Sequence, residues 1–348
     1  MTDRKGKGKA VDANGEQASS EVDLLPWVEK YRPDSLDDIL SHQHIVSTLD
    51  KFVEADQLPH LLFYGPPGTG KTSTIMALAR RIYGKNYKNH VLELNASDDR
   101  GIDVVRGQIK SFASTRNVFS MQNDMFKLIV LDEADAMTQA AQAALRRVIE
   151  QYTRNVRFCI IGNYVNKIIP AIQSRCTRFR FSPLETTQIA RRIDYVIDAE
   201  QCQIEPEARD AILTLSKGDM RRALNVLQAC HAAGGTIDQD AVYNCTGNPH
   251  PRDIETAFNA MLQQEFTTAY RTIQTLKVER GTALADLLIG MHELVLNLEL
   301  PAHARAFLLD HMAQIEYRLS TSASERIQLA ALLGAVKAAV DLSQISSA

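Results

Sequence analysis

A glycine-rich segment that ends in Lys-Thr is the part of this sequence best suited to chemistry. It spans residues 65–72 with the sequence GPPGTGKT, after an apolar run and before a helix-like stretch. In this pattern successive backbone N–H groups face one concavity, and the positive end of the following helix adds to their attraction for phosphate. Lys71 would reach the β- and γ-phosphates, and the Thr72 hydroxyl would ligate Mg²⁺. The segment therefore predicts a nucleoside triphosphate site.

A cluster of carboxylates follows a second apolar run, at 126–131. It consists of Asp132, Glu133 and Asp135. Ligands of open α/β sheets lie beyond the carboxyl ends of the strands, so the cluster is expected beside the phosphate loop. We expect Asp132 to hold Mg²⁺ through water, and Glu133 to act as the base or orienting group for the attacking water. A solvated acidic loop is the alternative, and the presence of the phosphate loop argues against it.

Three further polar positions allow more than one interpretation. Asn163 follows the apolar run 156–161 at the same predicted edge. An Asn at a strand end is ordinarily a turn residue, but here it could hydrogen-bond the γ-phosphate or the water. Arg221 and Arg222 open a later helix, where one could be solvated and the other could point towards the nucleotide. Their spacing does not choose between them.

A sheet is needed to bring these residues together. Strand-like runs are predicted at 60–64, 91–94, 126–132, 156–161 and 177–181. Helix-like stretches are predicted at 43–54, 71–83, 101–111, 138–152 and 168–174, with Thr138 as the N-cap of the fourth. The interleaving predicts an α/β domain with a five-stranded parallel, doubly wound sheet.

The remainder of the chain is predicted to be helical. Helices are expected at 189–199, 205–216 and 220–233, and helical pattern continues from 251 to about 342, where Ile254, Phe258, Met261 and Leu262 are spaced for one buried face. This last block carries no catalytic signature and is most simply an assembly module. We expect a disordered tail over 1–22, a nucleotide-binding domain over 23–182, a helical lid domain over 183–246 and a helical domain over 247–348.

Composition narrows the class of protein. The 348 residues are 45% hydrophobic, enough for several cores. A net charge of -3 excludes a uniformly basic nucleic-acid coat but leaves room for a local basic face. The five cysteines form no Cys-x-x-Cys pair, which indicates reduced thiols in an intracellular protein. With no apolar run of 18 residues and no signal peptide, neither membrane insertion nor secretion is predicted. The basic tail residues could be a nuclear address, a weak DNA contact or a solvated tail.

Six motifs together resemble the small subunits of replication factor C, the eukaryotic sliding-clamp loader, which is an AAA+ ATPase. They are EKYRP at 29–33, GPPGTGKT at 65–72, NASD at 95–98, DEAD at 132–135, SRC at 174–176 and GDMRRALN at 218–225. The similarity covers everything after the tail. Within the family, the stretches NASDDRGID and DEADAMT look most like the subunit numbered third in fungi and fifth in animals.

This resemblance implies roles for individual residues in a site for ATP and Mg²⁺. Residues 28–32 would contact the adenine, Asn163 would be the first sensor of the γ-phosphate, and Arg221 would be the second. Arg175 would be an arginine finger acting on ATP bound to a neighbouring subunit, although from the residues alone it could be a surface salt bridge. The nucleotide would be held by Val28, Tyr31, Arg32, Gly65, Pro66, Pro67, Gly68, Thr69, Gly70, Lys71 and Thr72.

The resemblance also implies macromolecular partners. They are four related subunits in a hetero-pentamer held by a C-terminal helical collar, the sliding clamp PCNA, and primer-template DNA, in the nucleus and without a membrane. Arg100, Arg106 and Lys167 match positions that contact template phosphates, independently of base sequence and sensitively to salt. The residues expected to face the clamp are Ile109, Phe112 and Phe119, which the residues alone would place in the core.

The leading hypothesis is an ATPase subunit that uses ATP binding and hydrolysis to open the clamp and load it onto DNA in replication and repair, stimulated by DNA and clamp. The reaction is attack of water on the γ-phosphate. One alternative is an ATP-stapled scaffold with incidental hydrolysis, against which Glu133 and Arg175 argue. Another is a different AAA+ DNA motor, which would need a DNA-engaging hairpin or wedge domain, and no such insertion is visible in the sequence.

Overall fold

The computed structural model describes residues 25–36, 38–39, 41–97, 105–114 and 126–345. Within these residues the chain divides into two compact units. The first consists of the residues up to Gln203 together with Ile212–Ala233, and the second of Ile204–Ala211 and the residues from Gly234 onward. The predicted tail, 1–22, lies outside the described residues, and the four-part domain division stays a prediction.

A five-stranded parallel sheet organises the first unit. Its strands are β1 (Leu61–Tyr64), β2 (Val91–Asn95), β3 (Lys127–Asp132), β4 (Val156–Gly162) and β5 (Thr177–Arg180). Their order across the sheet is β2-β3-β4-β1-β5, and every neighbouring pair is parallel. The predicted fold class is therefore confirmed, with strand ends within one or two residues of those expected.

The central strands are buried on both faces, which explains their continuous apolar sequences. Successive side chains of a strand point to opposite faces. In β1, Leu61 and Phe63 belong to one apolar cluster and Leu62 to another. In β3, Val130 packs in the first of these clusters and Leu131 in the second. Both faces of the sheet are thus covered, and the polar residues that end the strands are left at its carboxyl edge.

Helices of the first unit include the predicted ones, some with different extents, and two short ones that were not predicted, at 27–30 and 87–90. They are α1 (Trp27–Lys30), α2 (Gln43–Glu54), α3 (Lys71–Tyr83), α4 (Tyr87–His90), α5 (Lys110–Ser114), α6 (Gln139–Tyr152), α7 (Pro170–Gln173) and α8 (Thr186–Glu200), then α9 (Pro206–Ser216), whose residues fall in both units, and α10 (Met220–Ala233). The described part of the stretch predicted as a helix at 101–111 is a π-helical turn, Val105–Ile109, leading into α5. Helix α7 is shorter than predicted because Pro170 begins it.

Six helices lie wholly within the described part of the second unit, and all but the first contribute to one apolar core. They are α11 (Gln239–Thr246), α12 (Pro251–Gln263), α13 (Phe266–Arg280), α14 (Leu284–Asn297), α15 (Ala302–Ser320) and α16 (Glu325–Ile345). The predicted face of α12 is buried there: Phe258 and Met261 belong to the core, and Ile254 and Leu262 pack against it. No helix in the described part of the chain is long and apolar enough to cross a membrane.

Candidate active site

A cavity of about 420 Å³ lies within the first unit at the carboxyl edge of the sheet. Its walls come from the segment around α1, the phosphate loop, the ends of three strands, and the helices α8 and α10. The predicted site residues among its lining are Val28, Tyr31, Arg32, Pro67, Gly68, Thr69, Gly70, Lys71, Thr72, Asp132, Glu133, Asn163 and Arg221. The structure therefore brings together residues that are widely separated in the sequence.

Two glycines of the phosphate loop lie where a side chain has no room. Gly65 has a φ of +145°, and a Cβ there would lie 2.0 Å from the backbone oxygen of Phe181. Gly68 has a φ of +67°, and a Cβ there would lie 1.6 Å from Asp219 Oδ1. The loop is thus fitted against the end of β5 on one side and the start of α10 on the other, and only glycine permits both approaches.

Lys71 begins α3 and is 7% exposed. Its ammonium group donates to the carbonyl oxygens of Gly65 and Pro66, each at 2.8 Å, and to Asn163 Oδ1 at 3.0 Å. Burial lowers the pKa of Lys71 to about 8, against the opposing effect of the Asp132 carboxylate. A phosphate group beside the ammonium would favour its charged form. The side chain is therefore positioned between the loop and the end of β4.

Thr72 and Asp132 supply two oxygens suited to Mg²⁺. Thr72 Oγ1 donates to Asp132 Oδ2 at 2.6 Å, and the other carboxylate oxygen accepts from the backbone N–H of Glu133 at 2.8 Å. Mg²⁺ prefers hard oxygen ligands and is usually held by one or two carboxylates together with substrate phosphates. The donor set fits this ion, and the described residues contain no group of three or more His, Cys, Asp or Glu side chains that would hold a metal without a nucleotide.

Glu133 and Asp135 follow β3 in different environments. Glu133 is exposed and has a φ of +52°, a left-handed conformation that turns the chain sharply after Asp132. Asp135 Oδ2 accepts from the backbone N–H of Tyr164 at 3.3 Å, so it fastens this turn to the segment after β4. Of the two, Glu133 lines the cavity. The geometry leaves its carboxylate available to a water molecule in the cavity.

The start of α10 distinguishes the two arginines that spacing left open. Asp219 Oδ1 accepts from the backbone N–H groups of Arg221 at 2.8 Å and Arg222 at 3.2 Å, which caps the helix. The Met220 N–H donates to the Gly68 carbonyl at 3.3 Å. Because α10 is fixed to the phosphate loop in this way, Arg221 lines the cavity, whereas Arg222 is not part of its lining.

Several lining residues were not predicted as site residues. Asn95 ends β2 directly opposite Asp132 in the sheet, and this strand-end position could have indicated it. Gln188 and Arg192 of α8 and Leu224 of α10 also line the cavity. Nothing in their local sequence marks them, because α8 and α10 reach the cavity through contacts with segments distant in the sequence, such as those of Arg192 with Tyr31 and of Met220 with Gly68.

Comparison with known proteins agrees with this architecture. Residues 61–184 match the family model described as "ATPase family associated with various cellular activities (AAA)", and residues 249–335 match the one described as "Replication factor C C-terminal domain". Replication factor C subunit 3 of Schizosaccharomyces pombe is 57% identical, with 98% of each chain covered. The human replication factor C subunit 5 is 53% identical, with 96% of this chain and 97% of that protein covered.

The chain belongs to the replication factor C subunit family. The predicted family, and its likeness to the subunit numbered third in fungi and fifth in animals, are confirmed. A solved structure of a RuvB mutant from Thermotoga maritima has a TM-score of 0.51 at 16% identity, covering 73% of this chain and 88% of that one. At this identity the likeness shows the fold alone. As a replication factor C subunit with an AAA ATPase domain, the chain is a nucleotide-binding replication protein.

Arg175 of this replication factor C subunit lies at the opposite edge of the sheet from the phosphate loop. Arg175 precedes β5, whose first residue pairs with the first residue of the parallel strand β1. The phosphate loop, in contrast, follows the last residue of β1. Arg175 Nη2 lies 2.6 Å from Glu150 Oε1, and Nη1 donates to the Ala171 carbonyl at 2.6 Å. Its side chain is 36% exposed and does not line the cavity. It therefore faces away from the site of its own chain.

Positions expected to contact DNA are described only in part. Arg100 lies outside the described residues, and Arg106 falls in the π-helical turn with a side chain that the structure does not describe. Lys167 is exposed at the end of a 3-10 turn, Val165–Lys167, and its Nζ lies 4.9 Å from the centroid of the Tyr164 ring. Of the three, Lys167 is thus a surface cation that a phosphate could reach.

Positions expected to contact the clamp differ in exposure. Phe119 lies outside the described residues. Ile109 is 0% exposed and belongs to an apolar cluster beneath the sheet residues Ile129 and Phe158. Phe112 is half-buried and packs against the same cluster. In this conformation Ile109 offers no surface to a partner, as the residues alone had indicated, because its side chain completes the core.

Proposed function

We propose that this chain is an ATPase subunit of the hetero-pentameric replication factor C clamp loader, which opens the sliding clamp PCNA and loads it onto primer-template DNA in replication and repair. The observation that carries the proposal is the convergence of Lys71, Thr72, Asp132, Glu133 and Asn163 on one cavity. ATP with Mg²⁺ is the ligand that this set of ammonium, hydroxyl, carboxylate and amide groups fits.

The chain's own residues divide the reaction between them. Backbone N–H groups of the loop and the Lys71 ammonium bind the phosphates, and Thr72 and Asp132 would hold Mg²⁺, which neutralises charge on the phosphates when it is bound. Glu133 orients the attacking water or accepts its proton, and Asn163 and Arg221 sense the γ-phosphate. Residues 28–32 contact the adenine. Because Arg175 faces away from this cavity, it acts on the ATP of a neighbouring subunit.

Assembly and partners complete the proposal. Lys167, with Arg100 and Arg106, would contact template phosphates without reading bases, and the half-buried Phe112, with Phe119, would face the clamp, so that DNA and clamp stimulate hydrolysis. Residues 247–348 would form the collar, 183–246 the lid and 23–182 the nucleotide-binding domain. The complex would act in the nucleus.

Native mass spectrometry of the tagged chain, purified from its own cells with ATP present, tests the assembly. A hetero-pentamer with four related subunits is expected, and a homo-hexamer or a lone monomer would contradict the proposal.

Replacement of Glu133 by Gln tests the chemistry in the same complex. The variant keeps the shape of the side chain but removes its ability to accept a proton, so ATP binding should persist while hydrolysis at this site falls by about 10²–10⁴-fold. Clamp release onto DNA should slow with it. A scaffold subunit with incidental hydrolysis would release the clamp at the unaltered rate. Exposed Glu54, replaced by Gln, is the matched control.

A further inference from the structure

Tyr31 makes three contacts with helix α8. Its carbonyl oxygen accepts from Arg192 Nη2 at 2.6 Å, and its hydroxyl donates to Glu200 Oε1 at 2.5 Å. Its ring lies edge-on to Tyr195, with centroids 6.1 Å apart. Contacts between residues more than 160 positions apart thus converge on a single side chain and its backbone. We call the group of Tyr31, Arg192 and Glu200 the clasp.

An ion pair and burial reinforce the clasp. Lys30 Nζ lies 2.9 Å from Glu200 Oε1, and each of these side chains is 19% exposed. Burial raises the pKa of Tyr31 to about 12, and its hydrogen bond to Glu200 acts in the same direction. The phenol therefore remains a donor across the physiological range of pH.

The clasp lies at the wall of the nucleotide cavity. Tyr31 and Arg192 both line the cavity, and so do Val28 and Arg32 on either side of Tyr31. Arg192 binds a backbone carbonyl of the segment and not a side chain, so it fixes the path of the main chain there. Such fixed backbone donors and acceptors can distinguish adenine, which has an exocyclic amino group at position 6, from guanine, which has a carbonyl there.

We propose that Arg192 and Glu200 are positioning residues that hold the backbone of residues 28–32 against the base, and that they thereby set the preference of this subunit for ATP over GTP. The inference rests on the proposed function, because it requires ATP to occupy the cavity with its adenine against this segment. The two α8 residues act through Tyr31 and the main chain, and the base is read by the segment itself.

Titration of the full chain with fluorescent ATP and GTP analogues carrying the label on the ribose tests the inference. Arg192→Ala should weaken ATP binding by about 10–100-fold, as expected for the loss of one charge-assisted hydrogen bond, and GTP binding by less than threefold. The ratio of the two affinities should fall accordingly. Its matched control is Arg191→Ala, which alters the exposed neighbour on the same helix. Equal changes in Arg192→Ala and Arg191→Ala, or equal losses for ATP and GTP, would overturn the proposal.

Two conservative variants guard against a folding defect. Tyr31→Phe and Glu200→Met remove the hydroxyl donor and the carboxylate acceptor of one hydrogen bond with little change of side-chain length. Each should lower the ratio of ATP to GTP affinity while the unfolding transition stays in place, and their double variant should lose no more than the greater single loss, since both break one hydrogen bond. Additive effects would contradict the clasp. If the unaltered chain fails to bind ATP, the proposed function is contradicted. If it binds ATP but the ratio of ATP to GTP affinity is unchanged in all three variants, only the role of the clasp is contradicted.

Discussion

The hydroxyl of Thr72 and the carboxylate of Asp132 are joined by a hydrogen bond of 2.6 Å. Thr72 lies in the first turn of α3, which follows β1, and Asp132 ends β3. Strand β4 lies between β1 and β3, so the bond spans the end of an intervening strand. Two side chains 60 residues apart are thereby held together at one point of the sheet edge.

Thr72→Val should weaken ATP binding in the presence of Mg²⁺ by about tenfold. Valine has the shape of threonine without its hydroxyl, so Asp132 loses a donor and the ion loses a ligand. Equilibrium titrations with Mg²⁺ and with a chelator would measure the effect, which should vanish in the chelator. Thr72→Ser keeps the hydroxyl and is the matched control. Equal weakening with and without Mg²⁺ would mean that Thr72 does not serve the ion.

Arg175→Ala should leave ATP binding to its own chain unchanged but lower hydrolysis in the assembled complex. An arginine finger is worth about 10³–10⁵ in rate in related phosphoryl-transfer systems. Steady-state hydrolysis by the complex and nucleotide titration of the isolated chain would separate the two effects. Arg178→Ala removes another exposed arginine three residues away and should change neither. A weaker affinity of the isolated chain for ATP would contradict action in trans.

ATP affinity should fall as pH rises above 8. Burial lowers the pKa of Lys71 to about 8 from its ordinary 10.5, and bound phosphate raises it again because it favours the charged ammonium. Binding therefore takes up a proton wherever the ammonium is partly neutral, so the affinity is constant well below pH 8 and then declines by at most about tenfold per pH unit. Titrations from pH 6.5 to 9.5 would measure this decline.

Lys71→Arg provides the control for that titration, since a guanidinium stays charged throughout the range. Whatever the absolute ATP affinity of this variant, the affinity should decline less between pH 8 and 9.5 than that of the unaltered chain. A decline as steep as that of the unaltered chain would show that another group is responsible.

Gly65→Ala should destabilise the chain more than Gly70→Ala. Both glycines have positive φ, +145° and +90°, and a left-handed residue with a Cβ costs about 1–2 kcal/mol. A Cβ at Gly70 meets nothing within 4 Å, whereas one at Gly65 would lie 2.0 Å from the Phe181 backbone oxygen, so β5 would have to shift. Urea unfolding of the two variants would compare them, and equal losses of unfolding free energy would contradict the packing argument.

Local sequence was sufficient to predict the sheet and the centre of the site. Lys71, Thr72 and Asn163 follow buried strands and Asp132 ends one, and the carboxyl ends of parallel strands meet at one edge. The N-cap was also predictable, because Thr138 Oγ1 accepts from the Ala141 N–H at 3.2 Å. Such features are determined by the sequence within a few residues of each position.

Contacts made between distant segments could not be predicted in this way. The bonds of Tyr31 to Arg192 and Glu200 join a short helix near the start of the described chain to a helix well beyond the sheet, and no spacing encodes them. Ile109 shows the reverse case: the family likeness suggested a surface role, while its apolar side chain packs in the core. Which arginine of the pair at 221 and 222 faces the cavity likewise depended on the contact between α10 and the phosphate loop.

The position of Arg175 has a consequence for when ATP is hydrolysed. It precedes the first residue of β5 while the phosphate loop follows the last residue of β1, so the four-residue strand pair separates them by roughly 13 Å or more. Under the proposed function, a single chain would therefore carry parts of two different catalytic centres. The rate of ATP hydrolysis per subunit should then depend on subunit concentration. It should be low in dilute solution and should rise with concentration until assembly is complete. An unassembled subunit should therefore hydrolyse almost no ATP.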